Sequence, residues 1–289
     1  MVTPVRAAVF PVAGRGTRFL PATKAIPKEM LPIVDKPLIQ FAVEEALAAG
    51  VTKLVFIVSA TKAAIRDHFE QDAELEEVLS NTGKKALLQS VKNIVPEDVS
   101  CVYIDQGAPL GLGHAVLCAR SVIGNEPFFV HLADDLILAE TPCLSQMAEE
   151  HARHGQSVVA VEQVEREDTS SYGIVAVKDS DDGQRMTEII EKPAPQDAPS
   201  DLAVVGRYLL MPDIWDNLES IGQGAGGEIQ LTDAIAMLLQ DRDVYAYSFS
   251  GIRYDCGSKL GYLKAMVASG LVDGDIGESF RGYLADSVS

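Results

Sequence analysis

The sequence has no pair of cysteines close enough to suggest a staple or a metal clip. Cys101, Cys118, Cys143 and Cys256 stand far apart with no Cys-x-x-Cys spacing, so neither a disulfide framework nor a zinc site is predicted, and each reads as a small buried apolar residue. Nor does any run approach the ~18 apolar residues of a membrane helix. The first residues, Met1-Val2-Thr3-Pro4, lack a charged segment followed by an apolar one, so no targeting signal is predicted and cytoplasmic residence is the expectation. Basic residues are scarce: 24 Lys and Arg face 42 Asp and Glu, for a formal net charge of -18. That balance argues against nonspecific nucleic-acid binding, which needs a cationic surface to displace counterions. Internal repeats, low-complexity tracts and long linkers are also missing from the 289 residues.

What is present is a soluble globular composition, 47% apolar with a mean hydropathy of +0.10, large enough for a substantial core. Ala7 to Ala13 predicts a buried strand. Ile39, Ala42, Val43 and Ala46 recur at helical spacing, with Pro37 placed for a first turn and Gly50 for the stop. Lys53 to Ser59, Val99 to Asp105 and Pro127 to Ala133 predict three more strands separated by helical segments, with Thr61 expected to cap the first of those helices. Continuous apolar strands alternating with helices indicate an α/β fold with a parallel sheet wound with helices. From Ser157 onward the pattern turns β-rich. The expectation is one domain, with a first part over about 1–150, a β-rich part over about 151–260 and closing helices over about 261–289. In such sheets ligands collect at the carboxyl ends of strands, where the loops after Ala13, Gln106 to Gly113 and Asp134-Asp135 are placed.

Against the acidic total, Arg15, Arg18, Lys24 and Lys28 crowd into one short segment around Gly14 and Gly16. Glycines there let backbone N–H groups approach a ligand, and the cations suggest a bound anion. The dinucleotide fingerprint fails because Phe19 occupies its third small position, and the P-loop fails for want of a Gly-Lys-Ser/Thr ending. Two other features are read as bland. The acidic block Glu70 to Glu77 reads as an exposed helix face, and His151 and His154 read as solvated histidines for lack of a third metal ligand. A second glycine run, Gly222 to Gly227, is not a phosphate cradle, since Glu228 and Asp233 would put negative charge where a phosphate should lie.

Gly14 to Pro21, with the Pro27-Lys28 that follows, resembles the sugar-phosphate nucleotidylyltransferases, whose signature is Gly-x-Gly-Thr-Arg-x-x-Pro and a downstream Pro-Lys. The stretch Pro21 to Gln40, the segment Gly226-Gly227-Glu228-Ile229-Gln230-Leu231-Thr232-Asp233-Ala234 and the run Tyr254-Asp255-Cys256-Gly257 extend the likeness to the uridylyl-transferring branch. The resemblance implies a Rossmann-like, mostly parallel sheet of the nucleotide-diphospho-sugar transferase type with a β-rich sugar-binding subdomain. It implies transfer of UMP from UTP to glucose 1-phosphate, giving UDP-glucose and pyrophosphate. It also implies a homo-oligomer, a dimer or tetramer. Thymidylyl transfer, another sugar 1-phosphate, a noncatalytic nucleotide-sugar sensor and a glycosyltransferase remain open alternatives.

The implied chemistry needs no general base, because a phosphate monoester with a second pKa of about 6 is already ionised at neutral pH. It needs cations and a metal instead. By resemblance, Arg18 and Lys28 bind the triphosphate, and Mg²⁺ is held by Asp134 and Asp255, with Asp135 left between direct and water-mediated contact. Two adjacent carboxylates at a strand end would also repel each other without a cation nearby. Ala13, Gly14, Gln106 and Gly111 are implied for the base, with Glu29 facing the same pocket. Gly16 and Thr17 complete the nucleotide loop. Glu191 is implied for the glucose hydroxyls and Lys192 for the phosphates. Gly173, Val205 and Gly206 line the sugar side.

Overall fold

The computed structural model describes residues 2–59, 62–224 and 227–288. The cap expected at Thr61 and the Gly226 of the second glycine run lie outside the described residues. The first strand, β1 (Ala7–Pro11), leads through the glycine loop to a short hairpin of β2 (Pro32–Ile33) and β3 (Lys36–Pro37) and then to α1 (Leu38–Ala48). Gly50, at φ +85°, ends that helix in the left-handed region that glycine adopts without strain. Next come β4 (Lys53–Val58), α2 (Ala63–Phe69), α3 (Ala73–Asn81), α4 (Lys85–Lys92) and β5 (Ser100–Asp105). The acidic block falls largely on α3, and its face is exposed. Helices α5 (Leu112–Cys118) and α6 (Arg120–Ile123) then lead to β6 (Phe128–His131).

The second half contributes β7 (Asp135–Leu138), α7 (Cys143–His154), β8 (Ser157–Gln163), β9 (Gly173–Ser180), β10 (Gly183–Glu191) and β11 (Leu202–Leu210). Helices α8 (Ile214–Ser220) and α9 (Leu231–Leu238) precede β12 (Val244–Ser248) and β13 (Ile252–Asp255). The chain closes with α10 (Lys259–Val272) and α11 (Gly277–Val288). Nine strands form one sheet in the order β5-β4-β1-β6-β11-β8-β12-β10-β9. The β5-β4-β1-β6 half is parallel, as the apolar strand runs predict. Beyond it β11 runs antiparallel to both β6 and β8, and β9 and β10 form an antiparallel hairpin.

Alternate residues of the central strands feed two apolar layers, which is why these strands read as continuous hydrophobic runs. Val9, Val55 and Val130 pack with α5, α8 and α9 on one face. Ala8, Phe10, Phe56 and Phe129 pack with α1 and α7 on the other. Phe10 and Phe56 stack at 5.1 Å, and each buried ring of this kind stabilises the fold by roughly 1.5–3 kcal/mol. His151 and His154 are packed rather than solvated. His151 is 2% exposed and lies 2.8 Å from the carbonyl of Gln156, and His154 stacks on Tyr245 at 3.8 Å.

One local expectation fails where it matters. The strand predicted to run to Ala133 ends at His131. Asp134 lies in the turn that follows, and Asp135 opens β7, which pairs antiparallel with β13 and sets Asp135 opposite Asp255. A carboxylate pair cannot continue between two packed apolar layers, and the partner that draws the chain aside is more than a hundred residues away in sequence.

Candidate active site

The glycine loop at the carboxyl end of β1 is shaped by Gly16, whose φ of +62° is left-handed. A Cβ there would meet the Lys28 Cβ at 3.0 Å and the Thr23 Cγ2 at 3.2 Å, so glycine is required on two counts. Thr23 Oγ1 donates to the Gly16 carbonyl at 2.7 Å and locks the turn. The loop folds back so that Lys28 Nζ donates to Asp134 Oδ2 at 2.5 Å. Arg18 Nη1 donates to the Gly257 carbonyl at 3.4 Å.

Gly257 is the point where three charged groups converge. A Cβ on it would stand 2.9 Å from Asp255 Oδ1, 3.0 Å from Asp134 Oδ2 and 3.2 Å from Arg18 Nη1. The turns carrying the two carboxylates are tied together: Cys256 N–H donates to the Asp134 carbonyl at 2.7 Å, and Gly257 N–H donates to Asp255 Oδ1 at 2.9 Å. Burial would raise the Asp134 carboxyl, but Lys28 and Arg18 outweigh it and hold the group below its ordinary range. Lys28 is in turn held above its ordinary value, because Asp134 and Glu29 outweigh the effect of burial.

Asp135 points elsewhere. Its Oδ1 accepts from Arg253 Nε at 2.5 Å, while burial, with Asp134 alongside, works to raise its carboxyl and Arg253 opposes the rise. The two adjacent carboxylates thus have separate cation partners, Lys28 for Asp134 and Arg253 for Asp135. The donor set fits a metal. Mg²⁺ takes one or two protein carboxylates and completes its shell with substrate phosphate and water, and Asp134 and Asp255 face an open cleft. Among the described residues, no group of three or more His, Cys, Asp or Glu could hold a metal without such outside donors.

Behind these turns lies a buried ionic network. Arg207, 1% exposed, donates through Nε and Nη2 to both oxygens of Glu45, at 3.0 and 2.8 Å. Its Nη1 and Nη2 also donate to the carbonyls of Leu132 and Asp135, at 3.1 and 2.7 Å. Arg207 thus grips both ends of the turn that presents Asp134. Glu45 further accepts from Leu144 N–H at 3.1 Å and meets His131 Nε2 at 3.1 Å.

Two clefts flank this region, one at the charged centre and the other beside it. The first, about 460 Å³, is lined by Arg18, Asp134, Asp135 and Asp255 together with Gly173, Glu191, Lys192 and Gly206. Glu191 Oε2 accepts from Thr232 Oγ1 at 3.0 Å. Gly173 has no room for a side chain, since a Cβ would meet Thr232 Cγ2 at 2.9 Å. Gly206, at φ +74°, lies in the left-handed region, and a Cβ on it would stand 2.9 Å from both Asp135 Oδ2 and Leu132 Cβ. Lys192 is a non-glycine residue at φ +46°, a strained conformation of the kind concentrated at functional sites, and its Nζ lies 3.3 Å from Glu191 Oε1. Val205, expected beside Gly206, does not line this cleft. Strand alternation turns its side chain into the core, fully buried, and Val204 takes the cleft-facing place.

The second cleft, about 950 Å³, brings together Ala13, Gly14, Gln106 and Gly111 with Arg15 and Lys62. Gln106 Nε2 donates to the Gly111 carbonyl at 3.2 Å and lies 3.2 Å from His114 Nδ1, which clamps its amide across the loop. Glu29 sits behind this wall, 2% exposed, with Oε2 2.7 Å from Lys62 Nζ. Lys62 also donates to the Val12 carbonyl. Gly16 and Thr17 shape the loop without lining either cleft.

Lys62, Arg207, Thr232, Arg253 and Gly257 were not anticipated as parts of the site. Gly257 stood within the Tyr-Asp-Cys-Gly run and Thr232 within the segment from Gly226 to Ala234, so a signal was available for both. Arg207 and Arg253 are isolated cations inside strands, and their pairing is visible only in three dimensions.

The sequence profile of the nucleotidyl transferase family matches residues 8–269. The chain is 47% identical over 286 residues to the UTP–glucose-1-phosphate uridylyltransferase YngB of Bacillus subtilis, covering 98% of this chain and 96% of that one. Among solved structures, UTP-bound UGPase from Acinetobacter baumannii superposes with a TM-score of 0.89 at 43% identity, covering 97% of this chain and 99% of the other. A UDP-glucose pyrophosphorylase complexed with UDP-glucose superposes with a TM-score of 0.84, also at 43% identity, over 91% of this chain and 98% of its own.

Proposed function

This chain belongs to the nucleotidyl transferase family, and from that premise we propose that it transfers UMP from UTP to glucose 1-phosphate, forming UDP-glucose and releasing pyrophosphate. The observation that carries the reading is the convergence of Arg18, Asp134 and Asp255 on Gly257 beside the first cleft, in a chain nearly half identical over almost its whole length to a uridylyltransferase.

The residue roles follow from charge and position. UTP enters the cleft of Gly14 and Gln106 with its base against Gln106, Ala13 and Gly111 and its phosphates toward Arg18 and Lys28. The amide of Gln106 has both a donor and an acceptor to offer the uracil edge. Glucose 1-phosphate occupies the other cleft, with Glu191 and the backbone at Gly173 and Gly206 reading hydroxyls and Lys192 on the phosphate. The sugar phosphate arrives ionised, so an oxygen of it attacks the α-phosphorus directly and no side chain removes a proton. Repulsion between two polyanions is the main obstacle, and Arg18, Lys28 and Lys192 offset it. Arg18 suits the departing pyrophosphate because its planar fork can hold two oxygens. Asp134 and Asp255 would hold Mg²⁺, which supplies further neutralisation of the triphosphate when bound.

Among the described residues, no helix is long and apolar enough to cross a membrane, and residence in the cytoplasm is part of this proposal. Association into a homodimer or tetramer is as well. Leu260 and Leu263 on α10, 64% and 60% exposed, offer apolar surface to a subunit contact.

The direct test is a panel of UTP, dTTP, ATP and CTP against several sugar 1-phosphates with Mg²⁺, read as pyrophosphate release. UTP with glucose 1-phosphate is expected to lead it. A different leading pair would overturn the substrate assignment, and tight binding of UDP-glucose with no turnover would return the chain to the noncatalytic alternative.

A further inference from the structure

Only two residues line both clefts among the described residues: Leu112, which is apolar, and Glu228. Glu228 is thus the one polar side chain shared by the region around Gln106 and Gly111 and the region around Arg18, Asp134 and Asp255. Its position is set by the backbone on either side. Ile229 N–H donates to the Leu110 carbonyl at 2.7 Å, Gly113 N–H donates to the Ile229 carbonyl at 2.8 Å, and Gly224 N–H donates to the carbonyl of Glu228 at 2.7 Å. The contact is close enough that a Cβ on Gly111 would stand 2.8 Å from the Cβ of Glu228. Gln230 Nε2 donates to Glu228 Oε2 at 3.3 Å and orients the carboxylate.

A negative group at this junction is unsuited to phosphate, which it would repel, and well suited to hydroxyls, which it accepts from. In a nucleotide with its base in one cleft and its α-phosphate at the centre, the group between the two is the ribose. From this position we infer that Glu228 reads the vicinal 2′- and 3′-hydroxyls of the ribose and so makes the enzyme prefer a ribonucleotide over a 2′-deoxyribonucleotide. The inference rests on the proposed function for the placement of the nucleotide, and it goes beyond it by assigning sugar discrimination to one side chain outside the glycine loop.

The test compares UTP with dUTP, which share a base and differ only at the 2′ position. Wild type is expected to favour UTP in kcat/KM on the order of tenfold or more, as loss of a hydrogen bond to a charged acceptor would give. Glu228→Ala keeps the Cβ that meets Gly111, and it is expected to lose more activity with UTP than with dUTP, which keeps only the 3′-hydroxyl for Glu228 to read, so that the preference for UTP shrinks toward unity. Glu228→Gln should retain part of it, because an amide oxygen still accepts one hydroxyl. Equal losses on both nucleotides, an unchanged preference, or an effect confined to the KM for glucose 1-phosphate would overturn the assignment. Calorimetric binding of UTP and dUTP to wild type and Glu228→Ala gives the same comparison without turnover. Discrimination in binding with no pyrophosphate release would support Glu228 while counting against the transfer reaction.

Discussion

Lys28 Nζ and Asp134 Oδ2 lie 2.5 Å apart, which joins the glycine loop after β1 to the turn after β6 through 106 positions of sequence. Each group keeps the other charged: Asp134 is held below the ordinary carboxylate range and Lys28 above the ordinary amine value.

Replacing Lys28 by Met removes the partner of Asp134 and, in the proposed mechanism, a cation for the triphosphate. The expected fall in kcat/KM is on the order of 10²–10³, comparable with the loss of one charge-stabilising donor in other enzymes. Lys28→Arg should recover part of it. Steady-state pyrophosphate release measures the effect, and a change of less than about threefold would remove Lys28 from the phosphate clamp.

Chelation of divalent cations is expected to abolish turnover, and added Mg²⁺ to restore it. Asp255→Asn should shift the Mg²⁺ concentration for half-maximal rate upward, since a neutral amide is a weaker ligand than a carboxylate. Full activity in excess chelator would refute the metal assignment altogether. An unshifted Mg²⁺ titration in the variant would refute the part given to Asp255.

Arg207→Met leaves the Glu45 carboxylate buried without its guanidinium, a loss that costs about 3–5 kcal/mol in comparable buried pairs. Replacing Glu45 by Leu at the same time should recover much of that stability, because the uncompensated charge is then gone. Activity should not return with it, since Arg207 also holds the carbonyls of Leu132 and Asp135. Denaturant unfolding alongside turnover separates the two effects. Activity that recovers with stability would make Arg207 a purely structural residue.

His131 is fully buried, and burial together with Arg207 lowers its pKa to about 4 against the pull of Glu45. The sign follows from proton binding. Between pH 6.5 and 4 the imidazole of the unfolded chain takes up a proton that folded His131 does not, so stability falls as pH falls through that window. The loss is on the order of 3 kcal/mol from this one group. Glu45, held low by Arg207 and His131 in spite of burial, adds a loss in the same direction at still lower pH. Unfolding free energies measured across this range should show a shallower slope for His131→Gln than for wild type, and equal slopes would count against the titration of His131.

Much of this was legible because it is local. Strands β1, β4 and β6 are buried on both faces and so print uninterrupted apolar runs, and the glycine loop prints its cations against an acidic background. The antiparallel insertion of β11 between β6 and β8 has no such signature, because a strand's apolar pattern does not record the direction of its neighbours. Val205 was misplaced for a related reason: the Val204-Val205-Gly206 run is apolar throughout, and only pairing across β6 and β8 shows which side chain faces the cleft.

By itself the sequence determined the α/β class, the cation-rich glycine loop after β1, and the family to which the chain belongs, all of which depend on residue type and short spacing. The tertiary structure alone decided that Gly257 is the residue where Asp134, Asp255 and Arg18 converge, that Arg253 and Lys28 divide the adjacent carboxylates between them, and that Glu228 sits where the two clefts join. Those relationships arise from the pairing of β7 with β13 and from the docking of residues 228–230 on the loop at 110–113. Both join segments more than a hundred residues apart, a distance over which helical and strand periodicity carry no information.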